Sequence, residues 1–380
     1  MSAAPSRFVD ASSQPDTPRP FWQPIVIRRA EIQAEAERLA SLPWPSSGHR
    51  ESLVVHPRSE PPALGLAPGI QVKLTVLRPG ERSRVRRHNA TEIGFCIEGG
   101  GRALVGGRSI RFERYDVWNQ PSWTSCVRVN DTSELQVCLS YSNAALLERL
   151  NVHRIDEDPA PPAAEAGADA GNAKGSGPEA PEPAPAEERP EASPYGAFAL
   201  DERGAWLLPY EILINPPFVE SPALHWPWAR VQRELDRLTR LGERYRGRRL
   251  YLLYNPMTGR TNGTTPSFFA TMTVRPPGIV DRPHRHVSAA INYYFSGSGW
   301  SRVDGKRYTW EAGDLMLSAP GWAVHHHASN PGHPVYELTV QDQPFHIAIE
   351  SLLWQEDLSA EPVLLGARPG FATNRDEAAE

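Results

Sequence analysis

Two stretches of this chain consist of short alternating runs of the strand type, and no other feature limits its fold as strongly. The runs are separated by Gly, Pro, Asn and Asp. In residues 71–140 they read VKLTVL, IGFCIEG, RALV, SIRF, DVWN, CVRV and ELQVCLSY, and in residues 267–354 they read FFATMTV, AAINYYF, WSRVD, KRYTW, DLMLS, VYELTV and HIAIES. Short strands with frequent turn signals predict an all-β sandwich or barrel. Because the two stretches resemble one another, we expect an internal duplication.

The second stretch carries three histidines in the spacing of a metal site. The pattern runs from a glycine through a His-x-His pair to a Gly-Asp turn and a third histidine, in the order Gly278, His284, His286, Gly297, Gly313, Asp314, Pro320 and His325. Side chains alternate across a strand, so 284 and 286 share one face and 325 and 327 share another. The pattern predicts an inward cluster of imidazoles. A pair of surface histidines beside Arg282 and Arg285 is the less favoured interpretation.

Composition excludes several classes of protein. A net charge of -5 over 380 residues gives no electrostatic reason to expect nucleic acid. The chain has no apolar run after a basic start and no stretch of about 18 apolar residues, so we expect a soluble, cytoplasmic protein. The three cysteines, Cys96, Cys126 and Cys138, are odd in number and lack CxxC spacing, which indicates a reducing compartment.

Composition shifts predict six segments. They are an N-terminal arm with a helix (1–59), a first barrel (60–155), a disordered linker (156–196), a helical inter-barrel segment (197–265), a second barrel (266–357) and a C-terminal tail (358–380). The linker is almost wholly Pro, Ala, Glu and Gly, which cannot bury enough apolar surface to offset the entropy of ordering. A docking segment is the alternative interpretation of the linker.

Two helices are predicted outside the barrels. Residues 28–42 have helical periodicity and end before Pro43. Residues 222–241 place four apolar side chains on one helical face, namely Trp228, Val231, Leu235 and Leu238. We expect the second helix to pack on a barrel.

The histidine pattern resembles the two sequence motifs of the cupin superfamily. Ala290 stands where most cupins have a metal-binding glutamate, so the resemblance implies a site of three histidines. The stretches HRHVSAAINYYFSGSG, LHWPWARVQREL, YNPMTG, PGWAVHHHASN and DQPF resemble more narrowly the gentisate 1,2-dioxygenase group, which includes enzymes acting on salicylate and hydroxynaphthoate. This resemblance covers roughly residues 60–150 and 205–355. It implies an all-β bicupin of two double-stranded β-helix (jelly-roll) barrels with a few helices, and a homo-oligomer.

The same resemblance implies an activity and a cofactor. The expected activity is ring cleavage of a hydroxylated aromatic carboxylate by dioxygen, with Fe(II) held by His284, His286 and His325. Three neutral imidazoles leave about half of an octahedral ion open for substrate and dioxygen. Zinc, manganese or nickel would fit the same imidazoles. Alternatives are a non-catalytic cupin that binds a metal or a small molecule, and another metal-dependent cupin enzyme such as an isomerase or decarboxylase.

Further residues are assigned around the metal. Counted from Pro320 as in the family, His325 is the ligand, His326 points away and His327 is the catalytic residue that moves a proton or positions dioxygen. A core histidine with a backbone partner is an equally favoured interpretation of His327. Alternation from His286 predicts a cavity wall of Ser288, Ala290, Asn292 and Tyr294.

Substrate contacts are expected from Asn292 and Trp322. Gentisate-cleaving relatives commonly have an arginine at position 292, and they tend to have an acidic residue at the position of Thr339. These two departures point to an aromatic acid other than gentisate, or to weaker chemistry. Trp300 and Trp322 could stack on a ring, although core packing is the more usual role of a tryptophan.

The first barrel repeats the glycine and histidine pattern of the second barrel, but with different residues at some of the histidine positions. Arg86 and Cys126 replace two of the histidines, while His88 and Glu92 remain. A guanidinium at a ligand position disfavours a divalent ion, so we predict no metal there. A site formed by Cys126, His88 and Glu92 is the alternative.

Overall fold

The computed structural model describes residues 20–157, 219–240 and 249–367, the single positions 12 and 159, and the strand backbone of residues 198–199 and 206–207. Most of the predicted linker lies outside the described residues. Residues 1–164 and 223–380 form one compact unit. A second unit, residues 165–222, contains a two-stranded hairpin. No helix in the described ranges is long and apolar enough to cross a membrane.

Strands dominate the chain. In chain order the elements are β1 (Ile25–Ile27), α1 (Arg29–Ser41), β2 (Glu51–Val54), β3 (Gln71–Leu77), β4 (Arg87–His88), β5 (Glu92–Glu98), β6 (Gly101–Val105), β7 (Arg108–Phe112), β8 (Val117–Gln120), β9 (Cys126–Val129), β10 (Gln136–Ser142), α2 (Ala144–Arg149), β11 (Ile155–Asp156), β12 (Phe198–Ala199), β13 (Trp206–Leu207), β14 (His225–Trp226), α3 (Trp228–Arg240), β15 (Arg249–Leu252), a 3-10 helix (Pro256–Thr261), β16 (Phe269–Arg275), β17 (Arg285–His286), β18 (Ala289–Ser296), β19 (Ser298–Val303), β20 (Lys306–Glu311), β21 (Leu315–Pro320), β22 (His325–Ser329), β23 (Val335–Gln341), α4 (Gln343–Ala348), β24 (Leu353–Gln355) and β25 (Val363–Leu364).

The two barrels have the same strand order. In the first barrel a six-stranded sheet runs β14-β8-β5-β10-β3-β2 and a three-stranded sheet runs β7-β6-β9. In the second barrel the corresponding orders are β1-β21-β18-β23-β16-β15 and β20-β19-β22. Position by position the second set repeats the first, so the predicted duplicated all-β bicupin architecture is confirmed.

Two glycines of the repeated motif occupy equivalent tight turns. Gly99 and Gly297 have φ angles of 69° and 72°. A Cβ on Gly99 would lie 2.2 Å from the Leu135 carbonyl oxygen, and one on Gly297 would lie 2.8 Å from that of Pro334. Left-handed backbone and close approach of a neighbouring carbonyl both require glycine. The matching turns fix the register of the strands that follow.

Two predicted elements differ from the structure. The run HIAIES, expected as a strand, begins inside α4, where Pro344 occupies the first turn and its missing N–H costs nothing. The helix expected over 222–241 begins only at Trp228, because Trp226 precedes Pro227 and is extended, pairing with β8 as part of β14. The helix predicted over 28–42 is confirmed as α1.

Each barrel takes its last sheet strand from the segment that precedes the other barrel. β1 comes before the first barrel but pairs with β21 of the second, and β14 comes before the second barrel but pairs with β8 of the first. The helix after each strand packs on the barrel that follows it in the chain. α1 contacts β3 of the first barrel, and α3 contacts β15 and β16 of the second. We call these two strand–helix segments, 25–41 and 225–240, the crossed arms.

An aspartate from the Gly-Asp position anchors each crossed arm. Asp314 accepts hydrogen bonds from the Arg29 backbone N–H at 2.8 Å and from Arg28 Nη1 at 2.8 Å. Asp116 accepts one from the Trp228 backbone N–H at 2.7 Å and lies 2.8 Å from His225 Nε2. Both carboxylates lie at the start of a helix, where exposed N–H groups and the helix dipole favour negative charge.

One hydrophobic core continues from barrel to barrel. Leu74 and Phe95 of the first barrel and Ile291 and Leu338 of the second belong to the same cluster of buried side chains. Phe95 packs edge-on against Tyr293 with ring centroids 5.5 Å apart. Burial of this apolar surface between the two six-stranded sheets holds the barrels together.

Candidate metal centre

Three histidines of the second barrel converge in its interior. His284 and His325 form an isolated β-bridge, with their backbone N–H and C=O groups paired at 2.9 and 3.0 Å. His286 follows at the end of β17. All three side chains are buried, and one ring nitrogen of each lies within 4.8 Å of the others. The three residues that the sequence pattern predicted to cluster are therefore close together in the structure.

Backbone carbonyls orient each of the three rings through Nδ1. His284 Nδ1 lies 3.1 Å from the Arg282 oxygen, His286 Nδ1 lies 2.9 Å from the Ser288 oxygen, and His325 Nδ1 lies 3.0 Å from the Ala323 oxygen. A carbonyl can only accept, so each Nδ1 carries the proton and each Nε2 keeps its lone pair. Such a backbone partner on the far nitrogen is the usual support of a metal-binding histidine. Three neutral nitrogen donors at this spacing suit a divalent transition metal.

Trp354 covers two of the histidines, a contact that the sequence did not indicate. β24 pairs with β17, which sets Trp354 opposite His286. Its ring stacks on His286 with centroids 4.6 Å apart, and on His284 with centroids 5.7 Å apart. The indole limits rotation of both imidazoles and shields one side of the cluster from water.

His327 lies on the same strand as His325 and points to the same side. Its ring centroid is 5.8 Å from that of His325, and its Nδ1 lies 2.7 Å from Ser301 Oγ. Trp310 Nε1 donates to the same hydroxyl at 2.9 Å. His326 is half-buried and packs edge-on against Trp300 at 5.6 Å. The alternation expected along this strand is thus present.

Asn292 is held by two hydroxyls. Its Nδ2 donates to Thr339 Oγ1 at 2.8 Å, and the Ser318 hydroxyl donates to its Oδ1. All three side chains are buried. The two positions that depart from the gentisate-cleaving pattern, 292 and 339, are therefore bonded to each other.

The other expected wall residues have different environments. Ser288 Oγ lies 2.9 Å from His286 Nδ1, next to the carbonyl that orients the same ring. Tyr294 stacks on Trp310 with centroids 3.8 Å apart and is fully buried. Ala290 is buried on β18. Ser288 contacts the histidine cluster directly, whereas Tyr294 forms part of the barrel core.

Trp322 packs under a guanidinium. Arg285 lies 4.6 Å from the centroid of the half-buried Trp322 ring. Arg285 alternates with His284 and His286, so its side chain leaves the opposite face of the strand. Trp300 has a similar cation partner in Arg307, at 4.7 Å. The substrate contact expected of Trp322 stays a prediction.

A buried ion-pair cluster in the second barrel was missed from the sequence. Arg275 Nη2 lies 2.8 Å from Glu337 Oε1, and Nη1 is bonded to Asp281. Arg275 and Glu337 are almost fully buried. Burial opposes the charge on Arg275, but the two carboxylates outweigh it and raise its pKa. The sequence did offer one indication of this cluster, because Arg275 and Glu337 are charged residues within strands whose neighbouring positions are mostly apolar.

The first barrel has the same backbone frame around different side chains. Arg86 and Cys126 form the bridge that His284 and His325 form in the second barrel. His88 Nδ1 lies 3.0 Å from the Ala90 oxygen, as His286 does from Ser288. Burial raises the pKa of the Cys126 thiol to about 12, so the thiol is protonated in the metal-free protein. Among the described residues, one group of three potential metal ligands lies close enough together to share an ion. It is the group His284, His286 and His325 of the second barrel.

Sequence comparisons match the second barrel and extend over much of the chain. Residues 269–357 match the model of the AraC-like ligand binding domain family. A gentisate 1,2 dioxygenase 1 from Aquipseudomonas alcaligenes is 33% identical over 98 residues, which are 26% of this chain and 28% of that protein. A 5-aminosalicylate 1,2-dioxygenase from Comamonas sp is 22% identical over 339 residues, or 86% of this chain and 80% of that protein.

Solved structures share the fold. A salicylate 1,2-dioxygenase from Pseudaminobacter salicylatoxidans aligns with a TM-score of 0.69 over 90% of both chains, at 18% identity. A structure of the salicylate enzyme described as adducts with gentisate aligns with a TM-score of 0.70 over 91% of this chain and 88% of that one, at 18% identity. This chain is therefore similar in sequence to proteins named as 1,2-dioxygenases of gentisate and 5-aminosalicylate, and it shares the bicupin fold of a salicylate 1,2-dioxygenase.

Proposed function

We propose that this protein is an Fe(II)-dependent dioxygenase that cleaves the ring of a hydroxylated aromatic carboxylate. The observation that carries the proposal is the set of three buried imidazoles whose Nδ1 atoms are held by backbone carbonyls. Relatives named as dioxygenases of gentisate and 5-aminosalicylate support the class of reaction and substrate.

The three histidines would hold the metal, and their surroundings prepare the reaction. His284, His286 and His325 would each offer a ring nitrogen to the ion. When bound, Fe(II) supplies open coordination positions for substrate and dioxygen together with the redox chemistry that connects them. Burial of the rings and the indole of Trp354 exclude water from one side of the cluster. A dry site strengthens every electrostatic contact with a bound acid.

His327 is proposed to hold or move a proton at the substrate. Ser301 Oγ fixes its Nδ1, and that hydroxyl is itself fixed by Trp310 Nε1. Orientation of one ring nitrogen fixes the direction in which the ring could pass a proton. The alternative role, a core histidine with a polar partner, predicts that His327→Gln keeps kcat while losing some stability.

Asn292 is proposed to orient the substrate without neutralising its charge. Its amide is clamped by Thr339 and Ser318, and a second N–H of Nδ2 remains for a ligand. A neutral amide gives a weaker bond to a carboxylate than an arginine fork does. We therefore propose that the substrate carboxylate, which gentisate, salicylate and hydroxynaphthoate all carry, is held more weakly here than by an arginine. Trp322 completes the proposed substrate contacts, and Trp322→Phe with a change in KM would support that role.

Dioxygen uptake by the Fe(II)-loaded protein tests the activity. A panel of salicylates, gentisate and hydroxynaphthoates should include a compound that is consumed with one equivalent of dioxygen and gives a ring-fission chromophore. Protein loaded with Zn(II) serves as the matched control, because zinc has no redox chemistry. Binding of the acids without dioxygen uptake under Fe(II) would contradict the proposal.

A second candidate function is ligand binding without turnover. The match of residues 269–357 to the AraC-like ligand binding domain favours it. In that case the protein should bind an aromatic acid or another small molecule with equal affinity under Fe(II) and Zn(II), and no product should form. We also propose that the protein is cytoplasmic and that it forms a homo-oligomer. Light scattering of the purified protein measures its oligomeric state.

A further inference from the structure

The first barrel contains a charged, partly open cavity at the place where the second barrel has its histidine cluster. Arg86 and Cys126 line it, and their backbones form the bridge equivalent to His284–His325. Five further charged side chains line the cavity, namely Arg50, Glu51, Lys73, Glu92 and Arg128. The two barrels therefore have equivalent backbone positions at this point, but the side chains there are charged in the first barrel and are histidines in the second.

Cations outnumber carboxylates in this cavity. Lys73, Arg86 and Arg128 face Glu51 and Glu92, with Arg86 Nη1 2.9 Å from Glu51 Oε1, Lys73 Nζ 3.4 Å from Glu51 Oε2 and Arg128 Nη2 3.5 Å from Glu92 Oε1. Arg50 also lines the cavity and is paired with Glu81, so that pair adds no net charge. The other three cations exceed the two carboxylates by one positive charge.

The neutral groups of the cavity do not supply the missing negative charge. Burial and the nearby Arg86 lower the pKa of His49 to about 4, and burial lowers the pKa of His88, so both imidazoles are neutral at pH 7. The Cys126 thiol is protonated because burial raises its pKa to about 12. Burial opposes the ionisation of Glu51, but Lys73 and Arg86 outweigh it and lower its pKa to about 2.

Three nitrogen atoms of cavity-lining residues lack a hydrogen-bond partner. Among the described residues, Arg86 Nε, Arg50 Nε and His49 Nε2 are buried with no such partner. An unsatisfied buried donor costs free energy, and the cost is larger on a charged group. A bound anion would satisfy Arg86 Nε and balance the excess charge together.

We propose that the cavity of the first barrel binds a small carboxylate monoanion, with the Arg86 guanidinium as its principal partner and Lys73 and Arg128 beside it. A planar guanidinium matches a carboxylate in shape. A monoanion balances the single excess charge, whereas a phosphate dianion would be repelled by Glu51 and Glu92. The lining offers only two aliphatic side chains, Val76 and Leu77, so a short-chain acid fits better than an aromatic one.

Titration of metal-free full-length protein with 13C-labelled acetate, followed by NMR, tests the proposal. Acetate should bind saturably, benzoate should compete more weakly, and inorganic phosphate, tested at a pH where it is the dianion, should not compete. Arg86→Met should weaken acetate binding at least about tenfold, which is the loss expected for a charged hydrogen bond. Arg84→Met, which removes an exposed guanidinium two residues away, is the matched control and should bind acetate as the wild type does.

The same titration separates this site from the metal centre. His325→Ala disrupts the proposed metal site and should bind acetate with unchanged affinity, so failure of the proposed dioxygenase activity leaves this result unaffected. Loss of acetate binding in His325→Ala, tighter binding of phosphate, or no saturable binding would each overturn the inference. If Arg86→Met fails to fold by circular dichroism, Lys73→Met replaces it. If both variants are unfolded, wild-type crystals soaked in acetate test the proposal instead. Electron density for acetate beside Arg86 would support it, and an empty cavity would overturn it.

Discussion

At the scale of single residues, the tautomers of three imidazoles are set by main-chain atoms. The carbonyls of residues 282, 288 and 323 orient the histidine rings, so the site depends on backbone geometry more than on neighbouring side chains. Replacing a neighbour should therefore matter less than replacing a ring.

The tripled histidine at 325–327 gives a direct comparison. His325→Ala should lose bound metal because it removes one of three ligands, whereas His326→Ala should retain it because that ring packs against Trp300. Metal content measured after loading and dialysis checks this expectation, with His326→Ala as the matched control. Loss of metal in the His326 variant would show that the assignment of ligands is one residue out of register.

His49 should make the protein less stable in mild acid. Its folded pKa of about 4 lies below the unfolded value near 6.5, because burial and Arg86 disfavour the charged ring. The unfolded state then binds more protons, so this contribution to stability is complete above pH 6.5 and is lost as the pH falls toward 4. Partial exposure of the ring limits the change to on the order of 1 kcal/mol between pH 7 and pH 5.

Thermal unfolding at a series of pH values tests the role of His49. His49→Gln should flatten the decline of Tm between pH 7 and pH 5. The exposed His333→Gln serves as control and should keep the wild-type slope. Equal slopes for His49→Gln and the wild type would refute the expectation.

Alternation within one strand predicted that His284 and His286 share a face, and the resemblance to the cupin motifs joined His325 to them. The sequence did not predict Trp354, whose contact with His286 depends on pairing between β17 and β24, more than sixty residues apart. It did not predict the Arg275–Glu337 pair either, since that contact also crosses between strands. Local periodicity contains no information on which strands become neighbours.

At the scale of secondary-structure elements, the crossed arms are the main finding beyond the sequence. The strand-type runs of both barrels were predictable from their period and turn residues. The three residues of β1 and the two of β14 are too short to show a period, and their partners lie in the other half of the chain. The Gly-Asp position was recognised as a motif, yet its role in anchoring a helix start appears only in three dimensions.

Asp314→Ala should destabilise the protein by about 1–2 kcal/mol, the range for losing a side-chain acceptor at the start of a helix. The variant removes the acceptor for the Arg29 N–H at the start of α1 and for the Arg28 side chain. Asp131→Ala is the control, because its pairs with Arg102 and Arg111 are on the surface and contribute little. Denaturant unfolding measures both, and similar losses for the two variants would contradict an anchoring role for Asp314.

At the scale of the whole molecule, the shared core and the crossed arms couple the stability of the barrels. Full-length protein should unfold in one calorimetric transition. Deletion of residues 1–27 removes β1 from the sheet of the second barrel and should lower Tm by at least about 5 °C. Deletion of residues 1–19 keeps β1 and serves as control. Two separate transitions in the full-length protein would show that the barrels unfold independently.

The crossed arms also bear on how the gene could change after duplication. Each copy of the repeat carries coding sequence for a strand that the other copy needs, so neither half can be lost by deletion without damaging the survivor. The first half of the chain is needed for the strand that it supplies to the second barrel, whatever the interior of the first barrel binds. That requirement fits a barrel that has the frame of Gly80, His88 and Gly99 around an arginine and a cysteine.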